Sequence, residues 1–587
     1  MAFFTFLYGG SFRWFWILVL WLGLAMADSL LAQNALSVQA SPTADTSQIP
    51  VAPIAATTTD TNTNPAPVPT PTPTPASPVA APANEPATNA EPKPVASLAQ
   101  TTLPPAAAPQ PALASIPASP AISVSTQSSG FPLDVVLLAF GSLGGFVLYQ
   151  TGLTRAKNCG HTATLLLTGM FFALIGYWAG GFAVQSGGIG DSHAALAQTL
   201  PDNERTGLDH ELGLMVAGHH WGLMGSSGFF LITDGIGHNE NSSDSQGDTA
   251  TLFLAGAAFL VLAVAAAFGA GLERSRLLPM AAGAFLTGAI LYPLLANWIW
   301  GGGWLAELGH EFKLGHGFVD QGGAVVAHVT AGTLALVIAM ILKPRYGRMG
   351  RDQVYRSIPG HNMPFAVLGT SLLLVTLTMA NSFDGGSPGP VPEMAAINTL
   401  LAASGGFLVS YLASGRKRVL PMVLCRGLLG GAISVSAGSM LIDPWAAFII
   451  GAVAALVMFG AMNWLDWRRI DDPAGTCATH GAAGAWGALA LGFFADGHAG
   501  GYNGVEGPVR GLFFGGAWRQ LAAQAIGVAA GFLIIFILGF ICFGLIQKIL
   551  GMRADLIEET DGLDWPQTGA LGYQADMELE EPAPQSK

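Results

Sequence analysis

The sequence predicts an all-α membrane protein with eleven transmembrane helices, arranged as an inverted 5+5 repeat plus an eleventh helix, after a disordered N-terminal tail. Three observations lead to this fold class. Apolar runs of about 20 residues, the length with which a helix crosses a bilayer, recur through most of the chain. Basic residues alternate between successive loops. Two of the apolar runs begin with an Asp that is followed eight residues later by a His.

The composition supports this class and excludes others. The chain is 51% apolar and only 10% charged, which is typical of a multi-pass membrane protein. The net charge of −13 gives no sign of a nucleic-acid partner. The four Cys contain no CxxC pair, and none lies in a segment predicted outside the cell, so we expect neither a disulfide framework nor a metal site. We expect no cofactor and no enzyme activity.

The first 33 residues resemble a secretory signal. Arg13 precedes the short apolar stretch "WFWILVLWLGLAMA", and small residues at Ala27 and Ala32 offer cleavage points. An uncleaved anchor helix is the alternative. Residues 34–130 are rich in Ala, Pro and Thr and cannot bury enough apolar surface to fold, so they form a disordered extracytoplasmic tail.

The predicted membrane domain covers 131–548 and is followed by a cytoplasmic tail, 549–587. Its eleven apolar spans are 132–153, 162–184, 249–271, 277–299, 321–342, 363–383, 394–414, 419–438, 443–464, 475–494 and 520–547.

Basic residues predict the orientation of these spans. Lys and Arg concentrate in the loops after the odd-numbered spans up to the ninth, and the opposite loops contain little besides Arg205, Lys313 and Arg510. The positive-inside rule then places the N-terminus outside and the C-terminus inside. Residues 212–232 would break the alternation as a further helix and are assigned to the long outer loop, where we expect His219 and His220 to be solvated rather than metal-bound.

The two Asp–His segments are "DQGGAVVAH", from Asp320 to His328, and "DPAGTCATH", from Asp472 to His480. Each Asp begins a helix, where the dipole favours an anion. The topology puts the two Asp at opposite membrane surfaces, and eight residues advance a helix by about 12 Å. Both His therefore reach the middle of the membrane, which predicts a conduction or proton-handling site at the interface of an inverted repeat.

Several segments together resemble the ammonium transporters, with their Amt, Mep and Rh branches, over about 145–575. These are "LYQTGLTRAKN", "WIWGGGWLA", "HNMPFAVLGT", "IEETDGLD" and the two histidine segments. The resemblance implies a trimer in which each subunit has a narrow hydrophobic pore lined by His328 and His480. Trp300 and a hydroxyl would recruit ammonium at an outer vestibule, and from its place at the start of its span we expect Asp320 to favour the nearby cation. Asp320 serves equally well as a helix cap, which is the main role expected of Asp472.

The resemblance also implies a gate of two Phe rings, and here the chain departs from the family pattern. Phe259 takes the inner position, whereas the outer position of that span is Ala255. In the sixth span, alignment on "FDGGS" makes Phe383 the gate and Ser387 the hydroxyl. An ungapped alignment instead puts Ala380 and Asp384 in those places. We prefer the first alignment because five positions fit together. Arg426, inside the eighth span, needs a counter-ion that the sequence does not identify.

The predicted function is ammonium transport and nitrogen uptake across the inner (cytoplasmic) membrane, with deprotonation at the vestibule. The proton then either returns outside or crosses separately through a relay formed by the two His. The alternatives are an Rh-like channel for neutral gas and an ammonium sensor with a signalling partner, although 549–587 is too short for a fused kinase. The resemblance implies a homotrimer, and a PII-type signal protein is a further expected partner, at the cytoplasmic face. Membrane lipid surrounds the spans.

Overall fold

The computed structural model describes residues 133–189, 208, 210–232, 243–350, 355–382, 392–415, 419–498 and 500–573. These residues belong to one of the two units into which the chain divides, 1–32 with 127–587. The predicted signal peptide and Ala/Pro/Thr-rich tail lie outside the described residues.

Helices make up most of the described chain. In chain order they are α1 (Leu133–Leu153), α2 (Ala156–Ser186), α3 (Ser243–Phe268), α4 (Leu277–Trp300), α5 (Leu308–Phe312), α6 (Ala324–Leu342), α7 (Met363–Asn381), α8 (Pro392–Ala413), α9 (Pro421–Ile433), α10 (Pro444–Trp467), α11 (477–494), α12 (Trp518–Leu550), α13 (Leu556–Asp561) and α14 (Asp564–Thr568).

Nine helices of the described residues are long and apolar enough to cross a membrane: α1, α2, α3, α4, α6, α7, α8, α10 and α12. The other two predicted spans correspond to α9 and α11. Helix α9 ends at Ile433 although the apolar run extends to 438, because the chain turns there and its carbonyls at Ser436 and Ala437 accept hydrogen bonds from Gly322 and Gln321. The fold is thus an all-α membrane domain, and the number of eleven crossings stays a prediction.

Helices α3 and α6 form the centre of the domain. In each of them 83% of the most apolar 18-residue stretch is buried, whereas in α12 the buried share is 33%. The outer side of α12 is a row of exposed Leu, Ile and Phe. An exposed apolar side is expected of helices that face lipid. Any site carried by α6 is therefore enclosed by protein.

Helices α6 and α11 run in opposite directions. The backbone N–H of Arg345, just after the end of α6, donates to the Asp471 carboxylate just before α11 (3.0 Å). At the other face, Gln524 donates to the carbonyls of Val319 before α6 and of Ala488 near the end of α11. The starts of the two helices thus lie at opposite faces, although the inverted repeat as a whole stays a prediction.

A β-hairpin occupies the long loop between α2 and α3. Strands β1 (Glu211–Val216) and β2 (His219–Gly225) pair antiparallel. The connecting residues Ala217 and Gly218 both have positive φ (54° and 83°), as a two-residue type I′ turn requires. The segment 212–232 is therefore outside the long helices, as expected, but has strand structure of its own.

Candidate functional site

The histidines of the two Asp–His segments lie side by side. The Nδ1 atoms of His328 and His480 are 3.1 Å apart, and the two rings are fully or almost fully buried. At this distance the two Nδ1 atoms are within hydrogen-bonding range, with one ring as the donor and the other as the acceptor. Each histidine lies on a short π-helical turn, Ala324–Val329 in α6 and Cys477–Ala482 in α11.

Asp320 and Asp472 hold the starts of these two helices. The Asp320 carboxylate accepts hydrogen bonds from the backbone N–H groups of Ala324, Val325 and Val326 (2.5–3.0 Å). The Asp472 carboxylate accepts the N–H groups of Gly475 and Cys477. Both therefore satisfy N–H groups that a helix start leaves without an intrahelical acceptor. This geometry favours a capping role for each Asp.

Glycines let the two histidine helices touch. A Cβ atom on Gly332 would lie 2.2 Å from the Cα of Gly481, and one on Gly484 would lie 3.1 Å from the Cβ of His328. Only a residue without a side chain fits between backbones at this distance. The short distance between the imidazoles thus depends on glycine at the crossing.

The Trp300 indole is fixed next to Asp320. Its Nε1–H donates to the Asp320 backbone carbonyl (2.6 Å), and the Phe259 ring packs edge-on against it with ring centroids 5.0 Å apart. Phe259 is buried, and Ala255, one turn earlier in α3, is also buried. The structure thus brings together three residues for which the sequence predicted a role: Trp300, Asp320 and Phe259.

The predicted gate and hydroxyl of the sixth span, Phe383 and Ser387, lie outside the described residues, as does Asp384. The end of α7 is described. Ala380 and Asn381 are buried, and the Asn381 amide donates to the Thr399 hydroxyl (3.0 Å). The choice between the two alignments of this span stays open.

The two loop histidines are half-buried rather than freely solvated. His219 Nδ1 lies 2.7 Å from a Glu311 carboxylate oxygen, and its ring packs on Phe312. His220 Nε2 lies 3.7 Å from a carboxylate oxygen of Glu211. Their solvation is partial, with 32% of the His219 side chain and 34% of the His220 side chain exposed, because the hairpin folds onto α5, a helix that lies outside the predicted spans.

Charged residues of the predicted cytoplasmic loops form a buried network that sequence reasoning missed. Asp471 bonds Arg274 and Arg345, and Arg345 also reaches Glu273 (3.1 Å), which pairs with Arg155. Burial alone would raise the pKa of Asp471, but Arg274 and Arg345 hold that pKa well below its usual range. The alternation of basic loops was a signal for orientation only and did not indicate this pairing.

Arg426 lies near the start of α11. Its Nη2 donates to the carbonyl of Pro473 (2.9 Å), and it interacts electrostatically with Asp472. Asp472 is thus a candidate for the counter-ion that the sequence left unidentified, and the pair ties α9 to the start of the second histidine helix.

The fold and the site define a multi-pass membrane protein with a histidine pair enclosed at its centre. The model of the Ammonium Transporter Family matches residues 133–573, more than half of the chain. The chain belongs to the ammonium transporter family, whose name denotes transport rather than an enzymatic reaction.

Relatives and solved structures agree with this membership. Ammonium transporter Amt2 of Archaeoglobus fulgidus is 30% identical over 439 residues, which are 73% of this chain and 84% of the relative. Ammonium transporter 1 member 1 of rice is 33% identical over 344 residues, 54% of this chain and 67% of the relative. A structure described as a sensor Amt protein superposes with a TM-score of 0.60 at 25% identity, covering 74% of this chain and 96% of that one. Candida albicans Mep2 (TM-score 0.55, 22% identity, 72% and 87% covered) shares the fold.

Proposed function

We propose that this protein transports ammonium across the cytoplasmic membrane and that the proton and the ammonia separate on the way. The observation that carries the proposal is the 3.1 Å contact between the buried imidazoles of His328 and His480 in a member of this family. Ammonium gives up its proton at the outer vestibule. Ammonia then passes the histidine pair, and the proton crosses through the two rings.

Physical chemistry favours this separation. A bare ammonium ion in an apolar passage loses its hydration at a cost that no neutral pair of rings repays, whereas ammonia is uncharged. An imidazole donates on one ring nitrogen and accepts on the other, so two imidazoles in contact relay a proton without a lasting charge. The enclosure of both rings by protein keeps this path separate from lipid.

Recruitment at the vestibule rests on Trp300. An indole face attracts a partly desolvated cation by about 1–2 kcal/mol, and the hydrogen bond from Nε1 to Asp320 holds this indole in one orientation. Ser387 and Phe383 complete the vestibule and the gate in this proposal. Phe259, packed against Trp300, forms the inner part of the gate.

The proposal includes an assembly and an orientation. The subunits form a homotrimer in the inner membrane with the N-terminus outside, the C-terminus inside and a separate pore in each subunit. A PII-type signal protein binds at the cytoplasmic face. The basic loops at the ends of α1, α3 and α6 support this orientation. The exposed apolar sides of the outer helices support their contact with lipid.

The test is the current evoked by ammonium in proteoliposomes containing the purified protein. We expect the double variant His328→Ala/His480→Ala to lose about 10²-fold or more of this current, the usual size of a lost proton-transfer group. His310→Ala, an exposed histidine outside the pair, is the matched control and keeps the wild-type current. An undiminished current in the double variant would rule out the relay.

An ammonium sensor is the second candidate, because the sensor Amt structure shares the fold. The same vesicles separate the candidates. Alkalinisation of the lumen by an ammonium gradient without current indicates a neutral gas channel. Neither flux nor current from correctly folded protein indicates a sensor.

A further inference from the structure

One buried glutamine of α12 holds the chain segment before α6. Gln524 is fully buried. Its Oε1 accepts the backbone N–H of Val319 (2.9 Å), and its Nε2 donates to the carbonyl of Val319 (2.8 Å). The same Nε2 donates to the carbonyl of Ala488 in α11 (3.0 Å). A two-point bond of this kind fixes both the distance and the orientation of the backbone.

Two further amides hold the residues just before Val319. Gln520 accepts the N–H of His316 (2.9 Å) and donates to the carbonyl of Gly317 (3.0 Å). Asn503 Nδ2 donates to the carbonyls of His316 (2.9 Å) and Phe318 (3.0 Å). We call Asn503, Gln520 and Gln524 the amide clamp.

The segment that the clamp holds has no helix or strand of its own. An irregular buried segment cannot satisfy its backbone groups internally, and each unsatisfied group is costly. A side-chain amide provides a donor and an acceptor without a charge. Asn503 has φ 50°, a conformation that Asn tolerates and that few other residues adopt. The clamp is thus suited to holding this segment in one place.

The next residue in the chain is Asp320. Its carbonyl accepts the Trp300 indole N–H, and its carboxylate caps α6. Gln524 bonds Val319, and the next residue, Asp320, accepts the Trp300 N–H; Gln524 therefore positions the Trp300 indole through these two residues. Its bond to Ala488 connects the same segment to α11, the helix of His480. The histidine contact itself depends on the Gly332–Gly481 crossing, which the clamp does not touch.

We propose that the amide clamp positions Trp300 and thereby sets the apparent affinity for ammonium, with little effect on turnover. This rests on the proposed function. Gln524 acts through Val319 and Asp320, so it is a positioning residue rather than one that contacts the ion.

The test replaces Gln524 by Met, which has a similar volume and makes none of the four side-chain hydrogen bonds of Gln524. The matched control is Gln150→Met. Gln150 is equally buried and donates to the carbonyl of Ala265 (2.8 Å), far along the chain from the clamp. Asn503→Gly, which removes the amide and tolerates the positive φ of this position, is a second clamp variant in a loop outside the long helices, in case Gln524→Met folds poorly.

Ammonium dependence of the current gives KM and the maximal current per folded protein. We expect Gln524→Met to raise KM about tenfold, the effect of one or two lost hydrogen bonds. The maximal current stays within about twofold. Asn503→Gly shifts KM in the same direction, and Gln150→Met leaves KM unchanged. An unchanged KM in both clamp variants, or an equal rise in Gln150→Met, overturns the proposal.

A second measurement does not depend on transport. In protein labelled with 5-fluorotryptophan, the ¹⁹F resonance of Trp300 is assigned by its loss in Trp300→Phe. We expect Gln524→Met to shift this resonance and Gln150→Met to leave it in place. If the resonance shifts while the wild type carries no ammonium flux, the proposed function has failed and the positioning stands. If the resonance does not shift, the positioning has failed.

Discussion

At the scale of single residues, burial decides what a carboxylate does. Asp320 looked in the sequence like a residue suited both to capping a helix and to attracting a cation. In the structure both its oxygens accept backbone N–H groups, and the side chain is fully buried. The eight-residue spacing between Asp and His predicted that the two histidines lie at one depth. It did not predict which nitrogens face each other, because side-chain rotation is set by packing.

Glu307 is a buried acid between α4 and α5, and it predicts a pH effect on stability. Burial, with smaller contributions from Glu311 and Glu211, raises the pKa of Glu307 to about 8 from a usual value of 4.5. Between these values the folded state keeps a proton that the unfolded state releases. Stability therefore falls as pH rises from about 4.5 to 8.

The measurement is the thermal unfolding midpoint in detergent between pH 4.5 and 9. We expect the unfolding midpoint of Glu307→Gln to fall less than that of the wild type as pH rises. The difference between the two midpoints then grows by several degrees in favour of the variant. Glu506→Gln, at an exposed loop position, is the control and keeps the wild-type profile. Parallel curves for wild type and Glu307→Gln would contradict this.

At the scale of elements, the length of the apolar runs predicted the helices well, but it did not predict the π-helical turns or the hairpin. Each of the eleven apolar runs corresponds to a helix, because a run of this length has few other ways to satisfy its backbone in a membrane. The π-helical turns that carry the histidines have no signal in apolar periodicity. The sequence did not indicate the hairpin, because its turn needs a positive φ at position 217 and alanine, the residue there, rarely adopts one.

The crossing of α6 and α11 gives the prediction at this scale. A Cβ on Gly332 would meet the Cα and N of Gly481 at 2.2 and 2.3 Å, and these backbone atoms cannot rotate away. Gly332→Ala must therefore separate the helices and lengthen the histidine contact. We expect a loss of about 1–3 kcal/mol of stability together with a loss of ammonium-evoked current.

Gly544→Ala is the matched control for this crossing. Gly544 lies in α12, and nothing is within 4 Å of a Cβ placed there. The replacement is neutral or stabilises the helix by up to about 1 kcal/mol. Equal stability and current in the two Ala variants would show that the glycine crossing does not hold the histidines together.

At the scale of the whole molecule, the basic loops that predicted the orientation have a second role. Arg274 and Arg345 were counted as positive charges facing the cytoplasm. In the structure both are buried and share the Asp471 carboxylate. This joins the ends of α3 and α6 to the start of α11. The sequence shows which loops are charged, but it does not show which charges meet, since partners such as Arg274 and Asp471 are 197 positions apart in the chain.

This joint predicts a large effect of one substitution. Asp471→Asn leaves two buried guanidinium groups without their shared carboxylate, and breaking a buried pair costs about 3–5 kcal/mol. Asp466→Asn is the control, because its half-exposed side chain pairs with Arg348 at 3.2 Å and an exposed pair contributes about 0–1 kcal/mol. The measurement is the unfolding free energy of both variants in the same detergent. Because Asp471 holds the start of α11, the helix that carries His480, we expect Asp471→Asn also to lower the ammonium-evoked current per folded protein. A stable Asp471→Asn variant with full current would show that the buried network is dispensable both for the fold and for the histidine pair.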